Sequence, residues 1–277
     1  MSTRIRRLGA RVASVIVETV YPRVCAGCGM RGEWLCDDCA NSVPAAMQPI
    51  SCTRCGVPRL AGRCSCKDLD PLISMARASY VYDGWVAAAV HGTKYYGDAA
   101  RAADLGARMV SLLPEFGHVD GLIPVPLHAG RERERGYNQS TLIAKAISEE
   151  TGVPVRDVLK RTRQTASQTR LSGEERQKNV HGAFATLAAW SPAPGKRFVL
   201  IDDVRTTGAT LNACAETLKA FRPSLVGVLT FAMDMHRDDV ERLRRYEAGL
   251  KRSIGPGPGA RPRSVPTHPP RAPRRGP

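Results

Sequence analysis

The chain has 277 residues, a formal net charge of +15 and 43% apolar residues, with aromatics at only 5%. That length fits one medium domain plus a small module, or two domains, and the apolar share supports a real, mainly aliphatic core. The charge favours anionic partners such as nucleic acid, phosphates or anionic lipid, and no segment supplies the roughly 20 apolar residues of a membrane-crossing helix.

Met1 to Val20 is basic first and apolar later, as in a signal peptide, but Glu18 interrupts the apolar part and no small-residue cleavage site follows. Ile5, Leu8, Val12, Ile16 and Val20 fall near helical spacing. A short amphipathic helix over 1–22 that packs on the body is expected, with membrane-surface association as the alternative. The expected location is the cytoplasm or the inner face of the membrane.

Eight of the nine cysteines follow in a tight run: Cys25-x2-Cys28, Cys36-x2-Cys39, Cys52-x2-Cys55 and Cys64-x-Cys66. Four such knuckles supply two tetrahedral four-thiolate zinc sites. Gly29 and Gly56, directly after Cys28 and Cys55, suit the tight turns by which amides approach a thiolate sulfur. Without an export signal disulfides are disfavoured, and dithiol redox chemistry does not need four knuckles in a row. Closed four-thiolate sites make the zinc structural, folding a segment of about 45 residues that is too small for a core of its own. The Cys64-x-Cys66 pair is tighter than the usual knuckle, so one or two zinc ions are expected. Sequential and crossed ligand pairings both fit the spacings.

Ser79 to Trp85 reads as a strand leading into a helix. Lys94, beside Tyr95 and Gly97 and ahead of a helix from about Ala99 to Leu112, either meets an anionic group or sits in a solvated turn. The run Gly121 to His128 is an apolar strand ending in the Pro124-Val125-Pro126 turn, which fixes the backbone without side-chain chemistry. His128 either binds a phosphate or acts as an acid, or is a surface residue that ends the strand. Five charges from Arg131 to Arg135 form a solvated face or neutralise an anion. The segment 160–184 is long, polar and basic, as lids between core elements are. Within it, Ser172 with Glu175 makes a capping-box pattern.

Phe198 to Ile201 suits a buried parallel strand, with Asp202 and Asp203 at its carboxyl end, where open α/β sheets place ligands. Thr206, Thr207 and Thr210 offer hydroxyls, and Gly208 allows close backbone approach. A helix from about Leu211 to Phe221 then points its N-terminus at the loop, a setting that favours a phosphate. Cys214 on that helix reads as a buried small apolar residue. After a further expected helix at Arg237 to Leu250, residues 251–277 hold seven Lys or Arg, eight prolines and no acid. That is a disordered basic tail by composition, either a solvated extension or a nucleic-acid contact.

The run from Phe198 to Thr210 closely resembles the phosphoribosyl pyrophosphate (PRPP) signature of type I phosphoribosyltransferases. The resemblance implies that Asp202 and Asp203 hold the ribose hydroxyls. It implies that Arg205, Thr206, Thr207, Gly208, Ala209 and Thr210 hold the 5-phosphate. It also implies a pyrophosphate loop at Val125, Pro126, Leu127 and His128, and a mobile cover over PRPP, with Lys94, Arg135, Arg161, Gln168 and Arg176 as anion contacts. The cysteine run, Lys94-Tyr95, Pro124 to Leu127, Arg135 to Gln139, Gln168, Leu171-Ser172, Arg176, Asn179-Val180, Gly182 to Phe184 and Asp202 to Thr210 together resemble the ComF family, in that family's order. The fold this implies is α/β: a type I phosphoribosyltransferase-like parallel sheet with flanking helices, preceded by a Cys-rich double zinc ribbon.

The implied organisation is an N-terminal helix at 1–22, zinc ribbons at 23–70, the phosphoribosyltransferase-like domain at 71–235, an extra helix at 236–250 and the tail. The implied activity is phosphoribosyl transfer, a glycosyltransferase reaction, from PRPP with Mg2+ to an acceptor the residues do not specify. Such a transition state has oxocarbenium character, so positioning and charge neutralisation matter more than covalent catalysis. The family is linked to import of single-stranded DNA in natural transformation. A non-catalytic accessory that binds single-stranded DNA, alongside inner-membrane import proteins, is therefore the alternative.

Overall fold

The computed structural model describes residues 23–40, 42, 51–61, 64–95, 99–163, 180, 182–187 and 192–254. The expected helix over 1–22, the tail from 255, Gln168, Arg176 and the Ser172 capping box lie outside the described residues.

The described residues form six strands: β1 (Ile73–Val81), β2 (Gly121–Pro124), β3 (Leu159–Arg161), β4 (Phe184–Thr186), β5 (Arg197–Arg205) and β6 (Leu225–Met233). The helices are α1 (Asp37–Ala40), α2 (Trp85–Tyr95), α3 (Ala99–Ala107), α4 (Ala129–Arg135), α5 (Gln139–Thr151), α6 (Ala209–Leu218) and α7 (Arg237–Ile254). Four strands make an all-parallel sheet in the order β1-β6-β5-β2. Strands covered on both faces need continuous apolar runs, and Phe198 to Ile201 of β5 and Val228 and Leu229 of β6 are all almost wholly buried.

The side-chain period of two splits these runs between the faces. Phe198 and Leu200 pack with α6, β3, β4 and α7. Val199 and Ile201 pack with α2, α3 and α5. Buried aromatics such as Phe198 and Phe231 contribute on the order of 1.5–3 kcal/mol each. β3 and β4 form a separate antiparallel pair that brackets the polar segment from Thr162 to Ala183.

The structure moves several expected boundaries. β5 does not stop at Ile201: β6 continues beside it, pairing Asp202 with Thr230 and Arg205 with Met233. Lys94 lies not in a turn but in the last turn of α2. The arginine run is its own short helix, α4, ended by Gly136 in the left-handed conformation (φ 85°). α5 then starts under an Asn138 cap that accepts from the Ser140 amide. The helix after the phosphate-type loop runs Ala209–Leu218 with a 3-10 turn to Phe221, close to the expected span.

Candidate functional site: a sugar-phosphate-type cavity

Parallel strands leave their carboxyl ends at one edge of the sheet, and the connecting loops collect there. A cavity of about 380 Å³ opens at that edge. Its lining combines Val125, Pro126 and Leu127 after β2, Asp202 to Thr206 and Gly208 to Leu211 at the end of β5 and the start of α6, Tyr82 after β1 and Asp234 after β6. Lys94, Arg131, Arg135 and Arg161 complete it with positive charge.

The two acids are held differently. Asp203 is buried at 3% exposure and pairs with the Lys94 ammonium at 2.9 Å. It also accepts from the Gln139 amide at 3.3 Å. Burial opposes the charge on Lys94, but Asp203 outweighs it and holds the ammonium above its ordinary pKa. Asp202 accepts from the Ser140 hydroxyl at 2.8 Å. Burial and the neighbouring Asp203 carboxylate push Asp202 up to about 7. Lys94, expected to meet an anionic group or to sit in a solvated turn, is thus the counter-ion of the acid pair.

The start of α5 organises the rest. Arg135 donates to the side chain of Gln139, which holds Asp203. Asn138 donates to the Val125 carbonyl at 3.0 Å and so fixes the loop after β2. Tyr137 donates to the Thr93 carbonyl at 2.9 Å, tying this turn to the end of α2 beside Lys94. In α4, Arg131 and Arg135 are four residues apart and half-buried toward the cavity, while Glu132, Arg133 and Glu134 are exposed. Burial and the nearby Arg131 pull Arg161 below the ordinary guanidinium value, so two like charges converge on this space.

The loop after β5 matches its expected form. Gly208 takes φ 80° at the N-cap of α6 and makes no side-chain cap, leaving that role open at the helix's positive end. Thr206 and Thr210 line the cavity. Thr207 is instead used locally, its hydroxyl accepting from the Ala209 amide at 3.4 Å. Two further residues depart from their expected roles. His128 is the N-cap of α4, its Nδ1 accepting from Gly130, and it is absent from the cavity wall. The Arg205 guanidinium turns away to the cysteine-rich segment, donating to the Cys55 carbonyl at 2.7 Å and to Ser65 Oγ at 3.3 Å.

The cysteines resolve into two sequential sets, Cys25, Cys28, Cys36 and Cys39, and Cys52, Cys55, Cys64 and Cys66. Within each set all sulfurs lie within 4.8 Å of one another. Zn–S bonds of about 2.3 Å in a tetrahedron put sulfurs about 3.8 Å apart. The observed contacts of 3.6 and 3.8 Å in the first set and 3.1 to 3.6 Å in the second fit that arrangement. Backbone amides draw Cys25 down to about 7 and Cys52 to about 6 against the effect of burial, whereas burial drives Cys39 and Cys66 upward. Four clustered thiols cannot all ionise without a cation, and a zinc ion held by each set would supply it. The crossed pairing is excluded, and the donor sets suit structural zinc. Cys214 is fully buried, as expected.

Reading the chain alone missed Gln139 and Ser140 as organisers of the acid pair, Asn138 as the anchor of the loop after β2, and Tyr82 and Asp234 as cavity wall. The usable signal for the last two is their place directly after parallel strands.

Comparison with known proteins agrees with this architecture. Residues 138–248 match the phosphoribosyl transferase domain family, and residues 16–70 match the double zinc ribbon domain family. The chain is therefore a double zinc ribbon protein with a phosphoribosyltransferase-type domain. It is 30% identical to DNA utilization protein YhgH of Escherichia coli O157:H7, over 71% of this chain and 91% of that protein. It is 27% identical to Competence protein ComFC of Bacillus subtilis, over 67% of this chain and 78% of that protein. A 37% identical match to Competence protein F of Haemophilus influenzae covers 36% of this chain and 44% of that protein, less than half its length. The chain belongs to the ComF family. Among the described residues, no helix is long and apolar enough to cross a membrane.

Proposed function

We propose that the cavity binds PRPP together with Mg2+ and that the chain transfers its phosphoribosyl group to an acceptor, releasing pyrophosphate. The observation that carries this reading is the meeting, in one cavity, of an adjacent acid pair with Asp203 buried, a glycine–threonine loop at a helix N-terminus, and converging arginines. Asp202 and Asp203 accept from the ribose hydroxyls. The loop from Thr206 to Thr210 and the positive end of α6 take the 5-phosphate. The backbone after β2, from Val125 to Leu127, takes pyrophosphate, with Arg131, Arg135 and Arg161 neutralising it. Like charges held this close are stabilised by an arriving anion.

Mg2+ suits the acid side of the cavity, because it typically binds through one or two carboxylates plus the ligand's own oxygens. The chain's contribution is then to hold the sugar and diphosphate still and to offset charge as the anomeric bond breaks. The ribbons within 23–70 serve as a structural module for the transferase-like domain at 71–235, and α7, which runs four residues past the expected end at Leu250 to Ile254, and the tail after it extend it.

Calorimetry with PRPP and Mg2+ tests this on the wild type and on Asp202→Asn/Asp203→Asn. Saturable binding that disappears in the double variant is expected. A zinc-replete, folded wild type that binds no PRPP overturns it.

The second reading is a non-catalytic accessory to single-stranded DNA import, working in the cytoplasm at the inner face of the membrane. It is favoured by the relatives' names, which speak of competence and DNA utilization, and by the net charge of +15. On that reading the double variant keeps its salt-dependent affinity for single-stranded DNA.

A further inference from the structure

Arg205 is the residue at which β5 passes into the Thr206–Thr210 loop, and its side chain serves a different part of the molecule. It is 5% exposed, and none of its hydrogen-bond partners is a carboxylate among the described residues. One guanidinium nitrogen reaches the Cys55 carbonyl at 2.7 Å and Met233 Sδ at 3.7 Å, and another reaches Ser65 Oγ at 3.3 Å. Cys55 belongs to the second cysteine set, and Ser65 sits between two others, Cys64 and Cys66. Four thiolates with one zinc ion carry a net charge of about −2, so this buried cation is compensated by the cluster itself.

The contact continues on the far side of the loop. Asn212, in the first turns of α6, donates to the Asp68 carbonyl at 2.7 Å and accepts from the Asp70 amide at 2.9 Å. A Cβ on Gly208 would come within 3.8 Å of Leu69 and 3.9 Å of the Asp68 carbonyl. The loop is thus gripped at one end by the second cysteine set, through Cys55 and Ser65, and at the other by the chain that follows it, at Asp68 and Asp70. The first cysteine set packs on the other face of the sheet, where Arg108 donates to the Leu35 carbonyl.

We propose that Arg205 is a positioning residue, and that with Asn212 it makes the shape of the phosphate loop depend on the second four-cysteine cluster being intact. Loss of the cluster's geometry displaces the Cys55 carbonyl and Ser65 hydroxyl and releases the loop. The proposal rests on the reading of this loop as the sugar-phosphate site.

The test uses the full, zinc-loaded chain. Hydrogen exchange at residues 206–210, PRPP affinity and bound zinc are measured for wild type, Arg205→Met, Asn212→Ala and Arg108→Met. Arg108→Met removes the Leu35 carbonyl contact beside the first set, together with the Arg108–Asp104 ion pair in α3. Arg205→Met and Asn212→Ala are expected to speed exchange in the loop and weaken PRPP about tenfold with zinc unchanged. Arg108→Met changes neither reading. Arg205→Lys, which cannot span both acceptors, recovers part of the affinity. Should Arg205→Met fail to fold, Asn212→Ala and Ser65→Ala carry the comparison. Loop exchange that stays at the wild-type rate in Arg205→Met, or rises equally in Arg108→Met, overturns the proposal. A wild type that binds no PRPP yet shows faster loop exchange in Arg205→Met overturns the PRPP reading and leaves the coupling standing.

Discussion

The two cysteine clusters share one chemistry and differ in where they dock. The first packs Cys25, Leu35 and Cys39 against Trp85 and the α2–α3 face of the sheet. It is anchored by Arg108, which donates to the Leu35 carbonyl at 2.8 Å, and by Arg101 stacked 4.6 Å over the Trp34 ring. The second buries Cys55 and Val57 in the opposite layer, beside Leu69 and Ala209 at the start of α6. One ribbon therefore supports the scaffold and the other supports the site. A structural metal site acquires a functional consequence through the element it leans on, not through its ligands.

Glycine substitutions give the largest test of that contrast. Gly56 holds φ 71°, and a Cβ there would lie 2.5 Å from the Ala76 carbonyl. Gly56→Ala is expected to destabilise the fold by about 3 kcal/mol, from left-handed strain plus overpacking, and to weaken PRPP. Gly27 sits where a Cβ would meet Cys39 Sγ at 2.5 Å. Gly27→Ala should cost about 1–3 kcal/mol with PRPP affinity unchanged. Urea denaturation with calorimetry reads both, and equal losses of affinity would break the contrast.

Ser140→Ala sharpens it from outside either ribbon. It strips the half-buried Asp202 of its hydroxyl partner, leaving the Asp203 amide, and should cost about 0.5–1.5 kcal/mol. PRPP affinity should fall while both zinc ions, counted by elemental analysis, remain.

The pH dependence is a smaller effect. Asp202 is raised to about 7 by burial and Asp203, so its proton is held more tightly in the folded chain than in the unfolded one. The stability this gives is fully present below the ordinary carboxylate range and is lost as pH rises through about 7. On the proposed PRPP reading ligand affinity runs the other way, because it is the ionised form that would accept from the sugar hydroxyls. Between pH 6 and 8 PRPP affinity should rise about tenfold, and Asp202→Asn should flatten that slope. Unchanged wild-type affinity across this range would remove Asp202 from the sugar contact.

The smallest effect belongs to a turn distant from either cluster. Arg222 is the one non-glycine residue with positive φ (46°) among the described residues. Arg222→Gly should stabilise the protein by roughly 0.5–1 kcal/mol, relief of strain less the added chain entropy, and leave zinc and PRPP binding alone. A thermal melt detects it.

Much of this was legible along the chain because the signals are local. The apolar run from Phe198 to Ile201 and the loop to Thr210 need only their own neighbours to be read, and the cysteine spacings specify knuckles without any partner. The roles of Lys94, His128 and Arg205 were not legible. Each has a side chain that serves an anion, a helix cap or a carbonyl equally well, and the choice depends on what the fold brings within about 3 Å. Lys94 found Asp203, His128 found its own helix, and Arg205 found the Cys55 carbonyl.

The sequence by itself determined the parallel-sheet class, the two zinc modules and the position of the acid pair, since periodicity and ligand spacing act over a few residues. Only the tertiary structure decided the pairing of the cysteines, the partners of the acids and which ribbon touches the loop. Those depend on contacts such as Ser140 with Asp202 and Arg205 with Cys55, whose members lie 62 and 150 residues apart and meet only when the sheet is formed.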